Sequence, residues 1–172
     1  NMFTMRRDMQ LFRWLGTRLP GEDTRRVVVL TGARQTGKTT LARAAWPRVR
    51  YVNLDSLEDR EALARVRAAD WGRTLGPAIL DEVQKQPALF DKVKYAFDEG
   101  SVDFQVLLGA SRLLLLKHVR ESLAGRAFLY DLWPLMASEL RAPADAPPRE
   151  LPLLDRLVQG QGSIDALLQG VP

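Results

Sequence analysis

The residues whose types and spacing could do chemistry are found first in a loop near the start of the chain. Gly32 and Gly37 stand at the two ends of a G-x-x-x-x-G-K-T motif that Lys38 and Thr39 complete. Glycines at these positions permit backbone conformations that turn successive N–H groups inward around a phosphate. The lysine would reach the β- and γ-phosphates of a nucleotide, and the threonine hydroxyl would coordinate magnesium. The predicted nucleotide site consists of Gly32, Ala33, Arg34, Gln35, Thr36, Gly37, Lys38, Thr39 and Thr40.

An acidic pair, Asp81 and Glu82, follows an apolar stretch further along the chain. Hydrolysis of a nucleotide needs a carboxylate that completes the magnesium shell and a base that polarises the attacking water. We therefore expect Asp81 to bind the metal together with Thr39, and Glu82 to act on the water. The alternative, that this pair caps the next helix or faces solvent, is less favoured beside a phosphate loop. For Asp55, by contrast, capping of the following helix is favoured over a place near the site.

Alternating strands and helices would position these residues. An amphipathic pattern predicts a helix over 4–19, and further helices are predicted over 38–45, 56–69 and 111–123 and after Pro87. Short apolar runs bounded by turn residues predict five strands, at 27–30, 51–53, 78–80, 104–108 and 127–132. This alternation predicts an α/β fold, a three-layer sandwich around a mostly parallel five-stranded sheet.

The predicted organisation along the chain has three parts. Residues 1–21 carry the N-terminal helix, 22–141 form the nucleotide-binding core, and 142–172 form a linker rich in proline and glycine followed by short apolar segments. Those apolar segments have little to pack against within the sequence. We therefore expect the chain to be part of a longer protein.

Composition excludes several classes of protein. The 172 residues include no cysteine and a single histidine, His118, which argues against disulfides, thiolate metal sites and a Ser-His-Asp hydrolase. No apolar run approaches the roughly 20 residues that span a bilayer, and no signal peptide is evident, so a cytoplasmic protein without membrane contact is expected. The net charge of +4 is a weak electrostatic signal, so nucleic-acid binding is possible but unproven.

Four segments together resemble a known family. They are LTGARQTGKTTLAR (30–43), AILDEVQKQPALFDKVK (78–94), LLGASRLLLL (107–116) and ESLAGRAFLYDLWPLMASEL (121–140). They resemble the AAA-type ATP-binding proteins of bacteria and archaea that carry a C-terminal domain of unknown function. The resemblance implies an AAA+ core of the P-loop NTPase type with strand order 5-1-4-3-2, and ATP and Mg²⁺ as its ligands.

The same resemblance assigns two further residues. Ser111, after the fourth strand, would be a polar sensor that orients water near the γ-phosphate. Arg126, just before the fifth strand, would be an arginine finger that acts on the nucleotide of a neighbouring subunit, which implies a homo-oligomer. From the residues alone, Arg126 could instead be a surface arginine that interacts with helix carbonyls.

Three functions remain open at this point. The first is a Mg-dependent ATPase that couples ATP hydrolysis, with ADP as product, to conformational change in an oligomer. The second is an ATP-gated switch or scaffold with little turnover that recruits DNA or a protein partner. A small-molecule kinase or GTPase is less favoured, because no N-K-x-D guanine-selecting motif and no acceptor signature occur.

Overall fold

A computed structural model of the chain describes residues 11–110 and 112–142, together with Val158. The chain divides into two compact units. The larger unit, Arg18–Pro134, contains the sheet and the predicted nucleotide site, whereas the smaller unit is drawn from Asn1–Thr17 and Leu135–Pro172.

The larger unit is built on five strands that all run parallel. Their order is β2-β3-β4-β1-β5, and each pairing between neighbouring strands is parallel. The register places Thr31 beside Gly109 and Asp131, and Asn53 beside Asp81. The carboxyl ends of the strands therefore meet at one edge of the sheet. The strands are β1 (Arg26–Thr31), β2 (Arg50–Asn53), β3 (Ala78–Asp81), β4 (Phe104–Gly109) and β5 (Ala127–Asp131).

Helices connect successive strands, as parallel pairing requires. None of the described helices is long and apolar enough to cross a membrane. Short 3-10 helices occur at Trp14–Arg18, Ala68–Asp70 and Val83–Lys85. The α-helices are α1 (Lys38–Ala45), α2 (Leu57–Arg65), α3 (Trp71–Thr74), α4 (Ala88–Asp98), α5 (Arg112–Ser122) and, in the smaller unit, α6 (Ala137–Leu140).

The three central strands of the sheet are buried on both faces because they are almost continuously apolar. β1, β3 and β4 are buried along almost their whole length, and successive side chains of a strand point to opposite faces. One face packs in a single apolar cluster with residues of α2, α3 and α4. On the other face Trp46, which follows α1, lies against Phe104 with ring centroids 5.5 Å apart. The sheet thus forms a rigid middle layer beneath the site.

The α/β fold class and the strand order 5-1-4-3-2 are confirmed, since the observed order is the same one written from the other edge. The helix predicted over 4–19 differs in the part that is described. Residues 1–10 lie outside the described residues, and within 11–19 the chain forms only the 3-10 helix Trp14–Arg18. Gly16 lies inside that stretch and Pro20 follows it, and both residues weaken an α-helix.

The smaller unit is organised by one buried carboxylate. Glu139 of α6 is 2% exposed and accepts hydrogen bonds from the backbone N–H groups of Trp14 (2.8 Å) and Met136 (2.9 Å). The Arg13 Nε lies 3.4 Å from the same carboxylate. These contacts attach the described part of the N-terminal segment to α6.

Candidate nucleotide site

The phosphate loop joins the end of β1 to the start of α1, and its backbone follows from residues in unusual conformations. Gly32, Gln35 and Gly37 have φ values of 147°, 61° and 88°. A positive φ is accessible to glycine at little cost and is uncommon for other residues. These conformations turn the chain tightly enough that α1 begins directly at Lys38.

Gly32 is required for a second reason, which is the close approach of another backbone segment. A Cβ built on Gly32 would lie 2.3 Å from the carbonyl oxygen of Leu132. Leu132, which follows β5, is placed there because its N–H donates to the carbonyl of Thr31 (2.8 Å), the last residue of β1. The loop is therefore fixed against the segment that leaves β5.

Lys38 is the first residue of α1, and its side chain folds back onto the loop that precedes it. Its Nζ donates to the carbonyls of Gly32 (3.0 Å) and Ala33 (2.7 Å), and the residue is 7% exposed. Burial lowers the pKa of this ammonium, while the negative charges of Glu82 and Asp81 act in the opposite direction. The loop thus contains a buried cation beside two carboxylates, which suits a phosphate group with a metal ion.

Asp81 connects the phosphate loop to the second and third strands. Its Oδ2 accepts hydrogen bonds from the Thr39 hydroxyl (2.5 Å) and the Tyr51 hydroxyl (2.9 Å), and its Oδ1 accepts from the N–H of Glu82 (2.9 Å). The two residues predicted to share a metal, Thr39 and Asp81, are therefore in direct contact. Hydroxyl and carboxylate oxygens are the ligands that Mg²⁺ prefers, so the donor set fits this ion.

The protein could not hold a metal here without additional ligands. No group of three or more His, Asp or Glu side chains suited to a metal occurs in the part of the chain that the structure describes. Mg²⁺ bound between Thr39 and Asp81 would need further oxygens. Phosphate groups and water supply these in nucleotide sites, because Mg²⁺ keeps several waters and binds through few carboxylates.

Glu82 adopts a strained conformation directly after β3. Its φ of 56° and ψ of 39° lie in the left-handed region, which costs a residue with a side chain of order 1–3 kcal/mol. The amide of Gln84 donates to Oε2 of Glu82, and the N–H of Lys85 donates to the carbonyl of Glu82 (2.9 Å). The turn directs the Glu82 side chain to the cavity that the phosphate loop borders.

This cavity has a volume of about 650 Å³, which is large enough for the phosphates of a nucleotide and adjoining groups. Of the residues predicted to bind nucleotide, Gly32, Ala33 and Thr36 do not line it, and Thr36 instead donates to the Ala33 carbonyl (2.9 Å). The lining residues are Arg34, Gln35, Gly37, Lys38, Thr39, Thr40, Asp55, Glu82 and Lys85.

The capping interpretation of Asp55 is wrong. Ser56 caps α2 by accepting a hydrogen bond from the N–H of Asp59 (3.0 Å). Asp55 lines the cavity instead and forms an ion pair with Lys85. An aspartate directly before a serine offers two possible caps, and the serine is the residue whose side chain reaches the first turn.

Of the two residues assigned only by resemblance, Arg126 does not line the cavity. Ser111 lies outside the described residues. Arg126 precedes β5, and its guanidinium donates to both oxygens of Asp98 (2.5 and 2.9 Å) and to the Ala124 carbonyl (3.0 Å). The contact with Ala124 agrees with the alternative in which this arginine interacts with backbone carbonyls. Because Ala127 pairs with Val27, Arg126 lies at the end of the sheet opposite the phosphate loop.

Two site residues were missed by sequence reasoning, Tyr51 and Lys85. Tyr51 reaches Asp81 because β2 is the neighbour of β3, and the guanidinium of Arg43 lies 5.2 Å from the centre of its ring. Lys85 returns to the cavity through the 3-10 turn that follows Glu82. The strand order 5-1-4-3-2 contained a signal for Tyr51, since it places the second strand beside the third.

The parallel sheet, the glycine-bounded loop and the adjacent acidic pair define a P-loop nucleotide-binding domain of the α/β class. Comparison with known proteins gives the family. Residues 24–141 match the AAA domain, and this match covers more than half of the chain. The chain belongs to this family of AAA domains.

Two relatives extend the comparison. The chain is 34% identical over 121 residues to the uncharacterized protein Rv2008c of Mycobacterium tuberculosis and, to the same degree, to the uncharacterized protein Mb2031c of Mycobacterium bovis. The aligned region covers 69% of this chain and 27% of each relative. The chain thus spans about a quarter of the length of these relatives. The C-terminal domain that the resemblance implies lies beyond the AAA match and stays a prediction.

Proposed function

We propose that this domain binds Mg-ATP at the phosphate loop and hydrolyses the terminal phosphate, and that hydrolysis changes the arrangement of subunits in an oligomer. One observation carries this proposal. The buried Lys38, Thr39 and Glu82 line a single cavity, and Asp81 accepts a hydrogen bond from the Thr39 hydroxyl. A phosphate-binding loop, a metal-binding pair and a base are the three parts that hydrolysis of a nucleotide requires.

Each residue would have a separate role. Lys38 would exchange its two carbonyl acceptors for oxygens of the β- and γ-phosphates. Thr39 and Asp81 would hold Mg²⁺, which when bound would neutralise negative charge on the phosphates. Glu82 would accept a proton from the attacking water, and Gln84 would orient the carboxylate through Oε2.

Arg126 could act only on the nucleotide of another subunit. It lies beside the first residue of β1, and a strand of six residues extends about 20 Å at 3.3 Å per residue. This separation is several times the reach of an arginine side chain. The Arg126 guanidinium forms an ion pair with Asp98 within the chain. A role in trans would therefore require that this ion pair break when subunits assemble.

The test is the release of phosphate from ATP as a function of magnesium and of protein concentration. We expect turnover that requires Mg²⁺ and rises more than proportionally with protein concentration. Glu82→Gln should lower the rate by about 100-fold or more, as for loss of a general base, and should leave nucleotide binding intact. A rate that Glu82→Gln does not change would refute the proposed role of Glu82.

The alternative of an ATP-gated switch gives a different result. Light scattering with and without a nonhydrolysable ATP analogue measures whether nucleotide changes the subunit number. A nucleotide-dependent change in size with slow single-turnover hydrolysis would favour the switch. A monomer under both conditions would remove the case for Arg126 acting on a neighbour.

A further inference from the structure

An ion pair joins two of the residues that line the cavity, Asp55 and Lys85. Asp55 lies in the segment that follows β2, and Lys85 ends the 3-10 turn that follows β3. The two segments are held together because the N–H of Leu54 donates to the carbonyl of Asp81 (3.0 Å). Asp55 and Lys85 therefore face each other across the ends of neighbouring strands, and both line the cavity.

The ion pair is exposed enough to be exchanged. The side chain of Lys85 is 43% exposed and that of Asp55 is 52% exposed. An ion pair in contact with water contributes little stability, because solvent screens it and because both side chains lose freedom. A phosphate group with two negative charges and three acceptor oxygens would compete well with a single carboxylate for the Lys85 ammonium.

The residues that line the cavity include three cations, Arg34, Lys38 and Lys85, and two carboxylates, Asp55 and Glu82. Lys38 already faces the carboxylates of Asp81 and Glu82. A terminal phosphate that approaches Glu82 would meet further negative charge on that side. Lys85 lies three residues after Glu82 and borders the same cavity, so its positive charge would offset the repulsion between that phosphate and Glu82.

We propose that Lys85 is a ligand for the terminal phosphate of a nucleoside triphosphate, and that this phosphate displaces the Asp55 carboxylate from the Lys85 ammonium. This inference rests on the proposed function, because it places a nucleotide in the cavity. A triphosphate replaces Asp55 at the Lys85 ammonium, whereas a diphosphate leaves the ion pair in place. The exchange makes the segments after β2 and β3 sensitive to the presence of the third phosphate.

The test compares the affinities for ADP and for a nonhydrolysable ATP analogue by calorimetry in the presence of Mg²⁺. Lys85→Met should weaken binding of the analogue by about tenfold or more, as expected for a charged hydrogen bond, and should change ADP binding less than about twofold. Lys85→Arg keeps the cation and should retain most of the affinity for the analogue. Lys117→Met, which changes an exposed lysine of α5, is the matched control and should alter neither affinity.

Asp55→Asn distinguishes replacement of Asp55 by phosphate from a purely structural role of the Asp55–Lys85 ion pair. Loss of the competing carboxylate should leave the affinity for the analogue unchanged or higher. The proposal is overturned if Asp55→Asn weakens the analogue as much as Lys85→Met does, or if Lys85→Met affects ADP and the analogue equally or not at all. If the wild-type chain binds neither nucleotide, the proposed function fails and this inference fails with it.

Discussion

Gly32→Ala should destabilise the protein more than the same change at Gly100, another glycine with positive φ. An alanine at φ 147° carries backbone strain of about 1–3 kcal/mol. Its Cβ would lie 2.3 Å from the Leu132 carbonyl oxygen and 3.2 Å from the carbonyl carbon. Since both atoms belong to the backbone, relieving the overlap requires a shift that costs a further ~1–3 kcal/mol. The expected loss in the free energy of unfolding is about 2–6 kcal/mol.

Gly100→Ala is the matched control. Gly100 has a φ of 68°, and a Cβ there meets nothing within 4 Å. Only the left-handed conformation is penalised, at about 1–2 kcal/mol. Urea unfolding of the three proteins measures the difference. Equal losses at Gly32 and Gly100 would refute the argument that contact with the segment after β5 makes Gly32 necessary.

Three further changes probe contacts around the sheet. Lys92→Met removes an ammonium that donates to the carbonyls of residues 63, 64 and 66 at the C-terminal end of α2, and urea unfolding should show a loss of about 1–2 kcal/mol. Tyr51→Phe removes the hydroxyl that donates to Asp81 and should cost ~1 kcal/mol in the same assay. Arg126 lowers the pKa of Asp98 below its ordinary 3.8, so the ion pair stabilises the fold above pH 3.8 and this contribution is lost at lower pH. Asp98→Asn should therefore be less stable than wild type at pH 7, with the difference shrinking as the pH falls below 3.8.

Two of these changes have a matched control variant. Lys117→Met changes an exposed lysine and should have little effect, and so should Tyr95→Phe, which changes a tyrosine that is 44% exposed. A loss in either control as large as in its partner would show that the named hydrogen bonds are not responsible. For Asp98→Asn, a difference from wild type that is constant between pH 7 and pH 3 would contradict the assigned ion pair.

The strands and the loop that carry the site could be predicted from the sequence alone. Periodicity located the five strands because each is a short apolar run bounded by turn residues, and the glycine spacing located the phosphate loop. The neighbours of each strand could not be obtained from periodicity. The order 5-1-4-3-2 came from the resemblance, and it is also what places β2 beside β3.

Contacts between segments distant in the chain could not be predicted. Nothing local in the sequence indicates that Tyr51 reaches Asp81 or that Lys85 meets Asp55, because each pair depends on how loops after neighbouring strands converge. The Arg126–Asp98 ion pair likewise depends on the end of α4 lying near the start of β5. The motif assigned Gly32 to the phosphate loop. The close approach of the Leu132 carbonyl, which makes glycine necessary at this position, is a tertiary contact that the motif does not contain.

Calorimetry of Mg-ATP binding to the wild-type chain and to Lys38→Met addresses the phosphate loop itself. We expect one nucleotide per chain, and an affinity that falls by at least about tenfold in Lys38→Met, because the buried Lys38 ammonium donates to two loop carbonyls and would donate to the phosphates instead. Lys117→Met should bind as wild type does. Equal affinities in wild type and Lys38→Met would contradict the assignment of this loop as the site for the phosphates.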